Sequence, residues 1–269
     1  MMRRFLLLFA LMLVAAQSFA TVSLVHKSSA QLTGLTPSAD PLTFNFTACT
    51  PGDTLVMAVF TNGYPTSYFT AAGEGGDSTT WQQLGLDISA SWVGSQAGST
   101  LGFLFTLPTC GSPVSQVVLT WQDPYFVCCG APSASVQVVV YELTPCNWAG
   151  PDQNDLNQNL FTPSIANLTS VILSGSGTRD TFYIALTTTY LTNGGPYAPN
   201  NTGTLASVGG GWTLDTTAAY TGNASAYLIA RGNQQAVIST SVPVIWGIAG
   251  GTFVDASVSV EEPQIFVTT

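Results

Sequence analysis

Residues 53–60 read Asp-Thr-Leu-Val-Met-Ala-Val-Phe (DTLVMAVF), and this run is the clearest strand in the sequence. Similar runs recur, separated by clusters of Gly, Pro and Asn such as Thr61-Asn62-Gly63 and Gly209-Gly210-Gly211. The other predicted strands are Leu101–Leu107, Val114–Trp121, Ser135–Leu143, Asp180–Thr188, Ala226–Ala230 and Ala236–Val242. Because no helical periodicity competes with them, the pattern predicts an all-β sandwich. Several runs are apolar at every position, which predicts strands covered on both faces.

The motif order around this strand occurs twice. In the first half, Asp53-Thr54-Leu55 opens a strand, a loop follows, and Trp81 comes next. In the second half, Asp180-Thr181-Phe182 opens a strand, and Trp212 follows another loop. An aromatic strand, a β-branched strand and a long apolar strand then complete each half. Four matches in the same order indicate an internal repeat.

Two architectures fit repeats of roughly residues 50–146 and 177–256. The favoured interpretation is one jelly-roll-like β-sandwich built from the two halves, which makes residues 21–269 a single domain. Two tandem Ig-like sandwiches are the alternative, because a lone half of roughly 120 residues is long enough to fold alone. In either case Trp81 and Trp212 are expected to be matched core residues.

A family resemblance rests on five loose motifs spread over roughly residues 50–255. They are Gly52–Val56, Thr80-Trp81, Tyr141-Glu142-Leu143, Asp152-Gln153 and Gly211–Thr213. In this order they resemble the uncharacterised β-sandwich modules of many secreted bacterial proteins. The resemblance implies a β-sandwich of bacterial origin and assigns no catalytic residues. The cysteines depart from that group, which leaves room for a specialised role.

The first twenty residues predict a signal peptide. Arg3 and Arg4 precede an apolar run from Phe5 to Ala16, and the small residues Ser18 and Ala20 suit signal peptidase. We therefore expect cleavage after Ala20 and a secreted, extracellular mature chain. The apolar run is short for a bilayer span, and no later segment is long and apolar enough, so no membrane span is expected in the mature chain.

The mature chain is expected to be strongly acidic. Loss of Arg3 and Arg4 leaves three of the five basic residues, Lys27, Arg179 and Arg231, against fourteen acidic ones, a net charge of −11. Such a chain repels phosphate groups, which argues against nucleic acid and anionic lipid surfaces as partners. Charged residues make up only 7% of the chain, so the surface must consist mainly of uncharged polar residues.

Five cysteines are disulfide candidates, because export favours oxidation. They are Cys49, Cys110, Cys128, Cys129 and Cys146. The odd number leaves one thiol over, and the sequence does not fix the pairing. The adjacent Cys128 and Cys129 either bond to each other under strain or have other partners. With one histidine and no Cys-x-x-Cys motif, a zinc site is not expected.

Aromatic residues in the loops after the two Asp-Thr strands are the candidates for ligand binding. Tyr64 and Tyr68 lie in the first loop and Tyr197 in the second, among Gly, Pro and Asn. Exposed tyrosines with polar neighbours suit sugar rings, whose apolar faces stack on aromatic rings. The alternative is that these tyrosines pack back over the edge of a sheet.

No cofactor is expected, and calcium is the one ion that the oxygen-rich side chains between the halves would suit. The candidate ligands are Asp152, Asn154, Asp155 and Asn157. Carboxylate and amide oxygens are the ligands that calcium prefers. The full helix-loop-helix calcium motif is broken, because Leu160 and Ala166 replace its glycine and its last glutamate. A solvated turn between strands is the alternative.

The sequence provides few groups for catalysis. His26 is the sole histidine and there is no Gly-x-Ser-x-Gly motif, so triad hydrolysis is not expected. A glycoside hydrolase needs two carboxyl groups about 5 to 9 Å apart. The candidate pair is Glu142 with Glu74 or a nearby Asp.

The leading hypothesis is a non-catalytic secreted module that binds or assembles through its loops and edges, with an extracellular glycan or a surface protein as its partner. It follows from export, the missing nucleophile and base, and the uncharged polar surface. The first alternative is a secreted carbohydrate-active hydrolase that uses a Glu/Asp pair. The second is a structural subunit of a surface layer or fibre. The oligomeric state is not predicted.

Overall fold

The computed structural model describes the chain in thirteen stretches that contain strands and turns but no helix. They are residues 21–35, 41–63, 69–72, 81–90, 99–121, 134–150, 157–164, 167–170, 172–190, 205–207, 210–217, 220–241 and 244–256. No helix that could cross a bilayer therefore occurs in these stretches.

Seventeen strands follow one another along the described residues. They are β1 (Leu24–Leu35), β2 (Leu42–Asn45), β3 (Thr54–Gly63), β4 (Phe69–Ala72), β5 (Gln82–Ala90), β6 (Ser99–Leu107), β7 (Gln116–Trp121), β8 (Ala134–Leu143), β9 (Cys146–Gly150), β10 (Asn157–Ser164), β11 (Asn167–Thr169), β12 (Thr181–Tyr190), β13 (Leu205–Ser207), β14 (Thr213–Thr217), β15 (Tyr220–Ala230), β16 (Val237–Thr240) and β17 (Val244–Asp255).

These strands form four antiparallel sheets, two from each half of the chain. The first half has a large sheet of order β1-β8-β3-β6-β5 and a small sheet of order β2-β7-β4. The second half has a large sheet of order β10-β17-β12-β15-β14, with β9 also paired to β17, and a small sheet of order β11-β16-β13. Each of the first eight strands thus corresponds to the strand numbered nine higher.

The repeat seen in the sequence is therefore a complete structural unit. The first half contributes all eight strands of its two sheets and the second half, counted from β9, all nine of its own, and among the described residues no strand of one half joins a sheet of the other. The structure contains two sandwich-like units, as in the tandem alternative, rather than two halves interleaved in one sandwich. The single folding domain over residues 21–269 stays a prediction, because the two units share a core.

Three buried clusters fill the spaces between the sheets. The first core lies between the two sheets of the first half and includes Met57 and Leu119. The third core lies between the two sheets of the second half and includes Ala185 and Ile238. The second core lies between the two large sheets, which pack face to face and bring together residues such as Phe60 and Phe182.

This stacking explains the uninterrupted apolar strands. In β3, Leu55, Met57 and Val59 face the small sheet, whereas Val56, Ala58 and Phe60 face the other large sheet. Successive side chains of a strand point to opposite faces, so both sets must be apolar when both faces are covered. The prediction of strands covered on both sides is confirmed.

The two large sheets face each other with their strand orders reversed. β17 packs over β5, β12 over β6, and β15 over β3. When two units of the same hand face each other with reversed strand orders, β3 and β12 must run in the same direction. The two units are then related by an approximate two-fold axis parallel to the strands. Both strands begin near the contact between Tyr141 and Phe182, whose ring centroids are 5.6 Å apart. We call this the proximal end, and the end where β3 stops at Gly63 and β12 at Tyr190 the distal end.

Candidate functional site

The tyrosines expected to bind a ligand follow strands that end together. Tyr64, Tyr68 and Tyr197 themselves lie outside the described residues. The strands that precede them, β3 and β12, both stop at the distal end. The described strands that lead into the two loops therefore end on the same side of the units.

The oxygen-rich segment expected to bind calcium falls mostly outside the description. Asp152, Asn154 and Asp155 are in undescribed stretches, whereas Asn157 opens β10 and pairs with Ile248 of β17. Asn157 thus takes part in a strand ladder rather than in a loop. Among the residues with described positions, no group of three or more His, Cys, Asp or Glu side chains is placed to hold a metal ion.

Trp81 and Trp212 occupy matching positions in their units. Trp81 belongs to the first core and packs edge-on against Phe46, with ring centroids 6.4 Å apart. Trp212 belongs to the third core and packs against Tyr183 at 6.4 Å. Their prediction as matched core residues is confirmed.

One disulfide joins two of the five candidate cysteines, Cys49 and Cys110. Cys146 is a free, buried thiol, and Cys128 and Cys129 lie outside the described stretches. The disulfide links the turn before β3 to the segment after β6, at the proximal end. Burial is the main cause that raises the pKa of Cys146 to about 12.

Next to this disulfide, Glu142 is buried at the end of β8 and is only 2% exposed. Its Oε1 accepts a hydrogen bond from the Thr50 amide at 2.7 Å. Its carboxyl group is also in hydrogen-bonding contact with that of Asp53, which is 9% exposed. We call Asp53 and Glu142 the acid pair.

The acid pair has few hydrogen-bond donors around it. Two ionised carboxylates are acceptors only, so neither can donate to the other. Glu142 Oε2 is buried and receives no hydrogen bond from any described residue. Burial, followed by the contact with Glu142, raises the pKa of Asp53 above its ordinary value of 3.8.

A short backbone frame holds the acid pair in place. The Gly52 amide donates to the Cys110 carbonyl at 2.8 Å, and the Cys110 amide donates to the Asp53 carbonyl at 2.8 Å. Gly52 has a φ of 98°, which a residue with a side chain adopts only with strain. The turn from Cys49 to Asp53 is therefore fixed by the disulfide, by two backbone bonds and by Glu142.

This geometry does not suit a glycosidase pair. Carboxyl groups in those enzymes stand at least about 5 Å apart so that a sugar and its attacking group fit between them. Asp53 and Glu142 touch each other, and the Thr50 turn covers Glu142. Glu142 instead fills a role that strand-end glutamates often have, which is to bind a loop amide.

The described part of the chain also has a small cleft between the edge strands β1 and β2. Its volume is about 10 Å³, and Ala30, Phe44 and Val138 are among the residues that line it. Ligand pockets for small molecules usually measure about 300 to 1,000 Å³. The cleft is too small for such a ligand.

A polar network crosses the interface between the two units. The Tyr141 hydroxyl donates to Asp215 Oδ2 at 2.7 Å and lies 2.7 Å from Ser225 Oγ. Lys27 Nζ contacts Asp215 Oδ1 at 2.5 Å and lies 5.3 Å from the centre of the Tyr227 ring. This network joins β1 and β8 of one unit to β14 and β15 of the other.

The three basic residues that follow the predicted signal peptide are all engaged. Besides Lys27, Arg179 lies 4.0 Å from Asp255 and Arg231 lies 2.8 Å from Asp180. Each cation thus has an acidic partner within the same chain. An anionic ligand would have to compete with these carboxylates.

Sequence reasoning singled out Glu142 but not its partner. The two acids are far apart in sequence and meet because Leu55, two residues after Asp53, pairs with Glu142 between β3 and β8. His26, the one histidine, is the cross-strand partner of Glu142 on β1 and is exposed. The sequence signal for the buried acid was Glu142 itself, a charged residue on the valine-rich strand β8.

The comparisons with known proteins do not extend this description. No family model matches the chain, and no curated protein matches it. The chain is an all-β protein with two antiparallel sheet systems.

Proposed function

We propose that this protein is a non-catalytic secreted module that binds an extracellular ligand at its distal end, with a neutral glycan as the favoured ligand. The observation that carries the proposal is the shared end of β3 and β12. The Tyr64, Tyr68 and Tyr197 loops leave from that end, so tyrosines of both units can contribute to one surface.

The charge distribution supports an uncharged ligand. Lys27, Arg179 and Arg231 each have an acidic partner, and the remaining surface is acidic or neutral. Tyrosine rings and neutral amides recognise sugars without ionic contacts. A surface protein with a neutral or basic face is the second ligand class that this surface fits.

The proposed location rests on the predicted signal peptide and on the disulfide. Disulfides persist in oxidising compartments and are rare in the cytosol. The Cys49–Cys110 bond supports export of the mature chain.

We also propose that each unit is a jelly-roll variant rather than an Ig-like sandwich. The order β1-β8-β3-β6 in one sheet and β2-β7-β4 in the other follows a jelly roll whose fifth strand, β5, has moved beside β6. Lectin domains use this architecture, which supports the glycan proposal by analogy of fold only.

The hydrolase alternative has less support than binding. Glu142 is committed to Thr50 and Asp53, and Glu74 lies outside the described residues. The alternative of a structural subunit requires the protein to self-associate, so it is tested by the oligomeric state rather than by ligand binding.

The test is a binding assay on neutral polysaccharides and glycan arrays with the mature chain. Single Tyr64→Ala, Tyr68→Ala and Tyr197→Ala variants should each lose affinity, whereas Ile172→Ala should not. Ile172 is a suitable control because it is 64% exposed and lies next to Leu173, which bridges to Gln234 just beyond the proximal end of β15. Equal binding by all variants, or no binding at all, argues against the proposal. If size-exclusion chromatography of the mature chain shows polymers, the structural subunit is favoured instead.

A further inference from the structure

The acid pair has a use that ligand binding at the distal end does not explain. Glu142 and Asp53 lie at the proximal end and hold the turn that begins at the disulfide. Five hydrogen bonds hold this turn: Thr50 to Glu142, the two backbone bonds between Gly52, Asp53 and Cys110, the bond from the Asp53 amide to the Thr50 carbonyl, and the bond from the Cys49 amide to the Val114 carbonyl. The first of them depends on the position of the Glu142 side chain.

We propose that Asp53 and Glu142 share one proton and act as a pH-sensitive latch that holds the Cys49–Asp53 turn against the end of β8. With the proton in place, one carboxyl donates to the other and Glu142 Oε1 remains aligned with the Thr50 amide. Without it, two carboxylates in contact repel each other. Asp53 is the less buried of the two, so it moves towards water and takes the turn with it.

The other titratable groups nearby do not replace this proton. His26 faces Glu142 from β1 and is exposed to solvent. Cys146 on β9 lies close to Asp53 and Asp255, and its thiol is neutral below a pKa of about 12. Asp255, at the end of β17, lies 4.0 Å from Arg179. The acid pair is therefore the buried pair of acids at this turn, and the variants below separate its effect from that of His26.

The direction of the pH effect follows from the raised pKa of Asp53. In the open turn Asp53 loses its proton near its ordinary pKa of 3.8, whereas in the closed turn it keeps the proton to higher pH. The closed state therefore binds more protons across this window, and closure weakens as pH rises through it. For each unit by which the closed pKa exceeds the open one, the opening equilibrium should rise about tenfold.

Hydrogen exchange at the Thr50 amide measures this opening directly. In the intact mature chain, the protection factor, which removes the intrinsic pH dependence of exchange, should fall from pH 4 to neutral pH, by about tenfold for each unit by which closure raises the Asp53 pKa. An infrared band from a protonated carboxyl should persist above the pH at which ordinary carboxyls ionise, and should disappear over the same range. Constant Thr50 protection, or no such band, overturns the proposal.

Two conservative variants separate the proton from the contact. Asp53→Asn gives an amide that donates to Glu142 at every pH, and Glu142→Gln gives one that donates to Asp53 and still accepts from Thr50. Both should keep Thr50 protected, with the pH dependence lost. Asp180→Asn is the control, because Asp180 pairs with Arg231 at 2.8 Å elsewhere and its loss should leave the Thr50 profile unchanged. A pH dependence that survives both conservative variants assigns the effect to another group and overturns the latch.

Discussion

Tyr141 of the first unit donates a hydrogen bond to Asp215 of the second, at 2.7 Å from hydroxyl to Oδ2. The same hydroxyl lies 2.7 Å from Ser225, and Tyr141 is fully buried between the two large sheets. The bond therefore ties the two units together at a point from which water is excluded.

Tyr141→Phe should destabilise the protein by about 2 kcal/mol, because a hydrogen bond to a charged group is lost and Ser225 loses a partner. Urea unfolding with two probes, one in each unit, measures the loss. Tyr183→Phe is the matched control: its hydroxyl donates to the neutral Gly232 carbonyl, so about 1 kcal/mol is expected. Equal effects of the two substitutions would contradict a special contribution from Asp215.

Buried threonines with and without a partner should respond in opposite ways to removal of the hydroxyl. Thr106 Oγ1 donates to the Leu55 carbonyl at 3.0 Å, so Thr106→Val should cost about 1 kcal/mol. Thr188 Oγ1 is buried and has no hydrogen-bond partner, so Thr188→Val should be neutral or stabilising. Thermal unfolding of the two variants side by side provides the measurement, and a clear loss with Thr188→Val would show that its hydroxyl is satisfied in solution.

The buried thiol of Cys146 should make the protein sensitive to alkali. Its pKa is about 12 in the folded chain against an ordinary value of 9.0, so the unfolded chain releases the proton first. Stability is fully present below about pH 9 and falls as pH rises towards 12, by up to about 4 kcal/mol. Cys146→Ala should show a shallower decline in a pH series of urea midpoints, and an unchanged slope would exclude the thiol as a cause.

The Cys49–Cys110 bond closes a loop with a sequence separation of 61. A cross-link of that span stabilises by about 4 kcal/mol when its effect is the lost freedom of the unfolded chain. The double variant Cys49→Ala, Cys110→Ala should therefore unfold at markedly lower denaturant concentration. It should also release the Thr50 amide to exchange at every pH. A variant with wild-type stability would show that the turn is held by the acid pair and the backbone bonds alone.

The sequence predicted the fold where local pattern determines structure. Strands such as β3 and β12 are apolar at consecutive positions, and their Asp-Thr openings and later tryptophans are repeated, so these strands and their order were readable. The choice between one sandwich and two was not readable, because both architectures need strands that are covered on both faces. The deciding fact is that each unit extends beyond its repeat and holds at least eight strands, several of them too short or too polar to recognise.

The sequence also did not show which core each residue of the two repeats faces. Leu55 and Phe182 occupy the same place after their Asp-Thr pairs, yet Leu55 lies in the first core and Phe182 in the core between the units. A shift of one residue turns a side chain to the opposite face of a strand. Motif alignment keeps the order of the strands but does not detect such a shift. The contact between Asp53 and Glu142 depends on register in the same way.

Among the described residues the Lys27–Asp215–Tyr141 network occurs once, although the two large sheets face each other like the halves of a symmetric dimer. In a dimer of identical chains every contact away from the axis would occur twice, and dilution would separate the partners. Here both partners belong to one polypeptide, so their association does not depend on protein concentration. Each face was also free to acquire residues that its counterpart lacks. The interface therefore stays intact however far the protein is diluted.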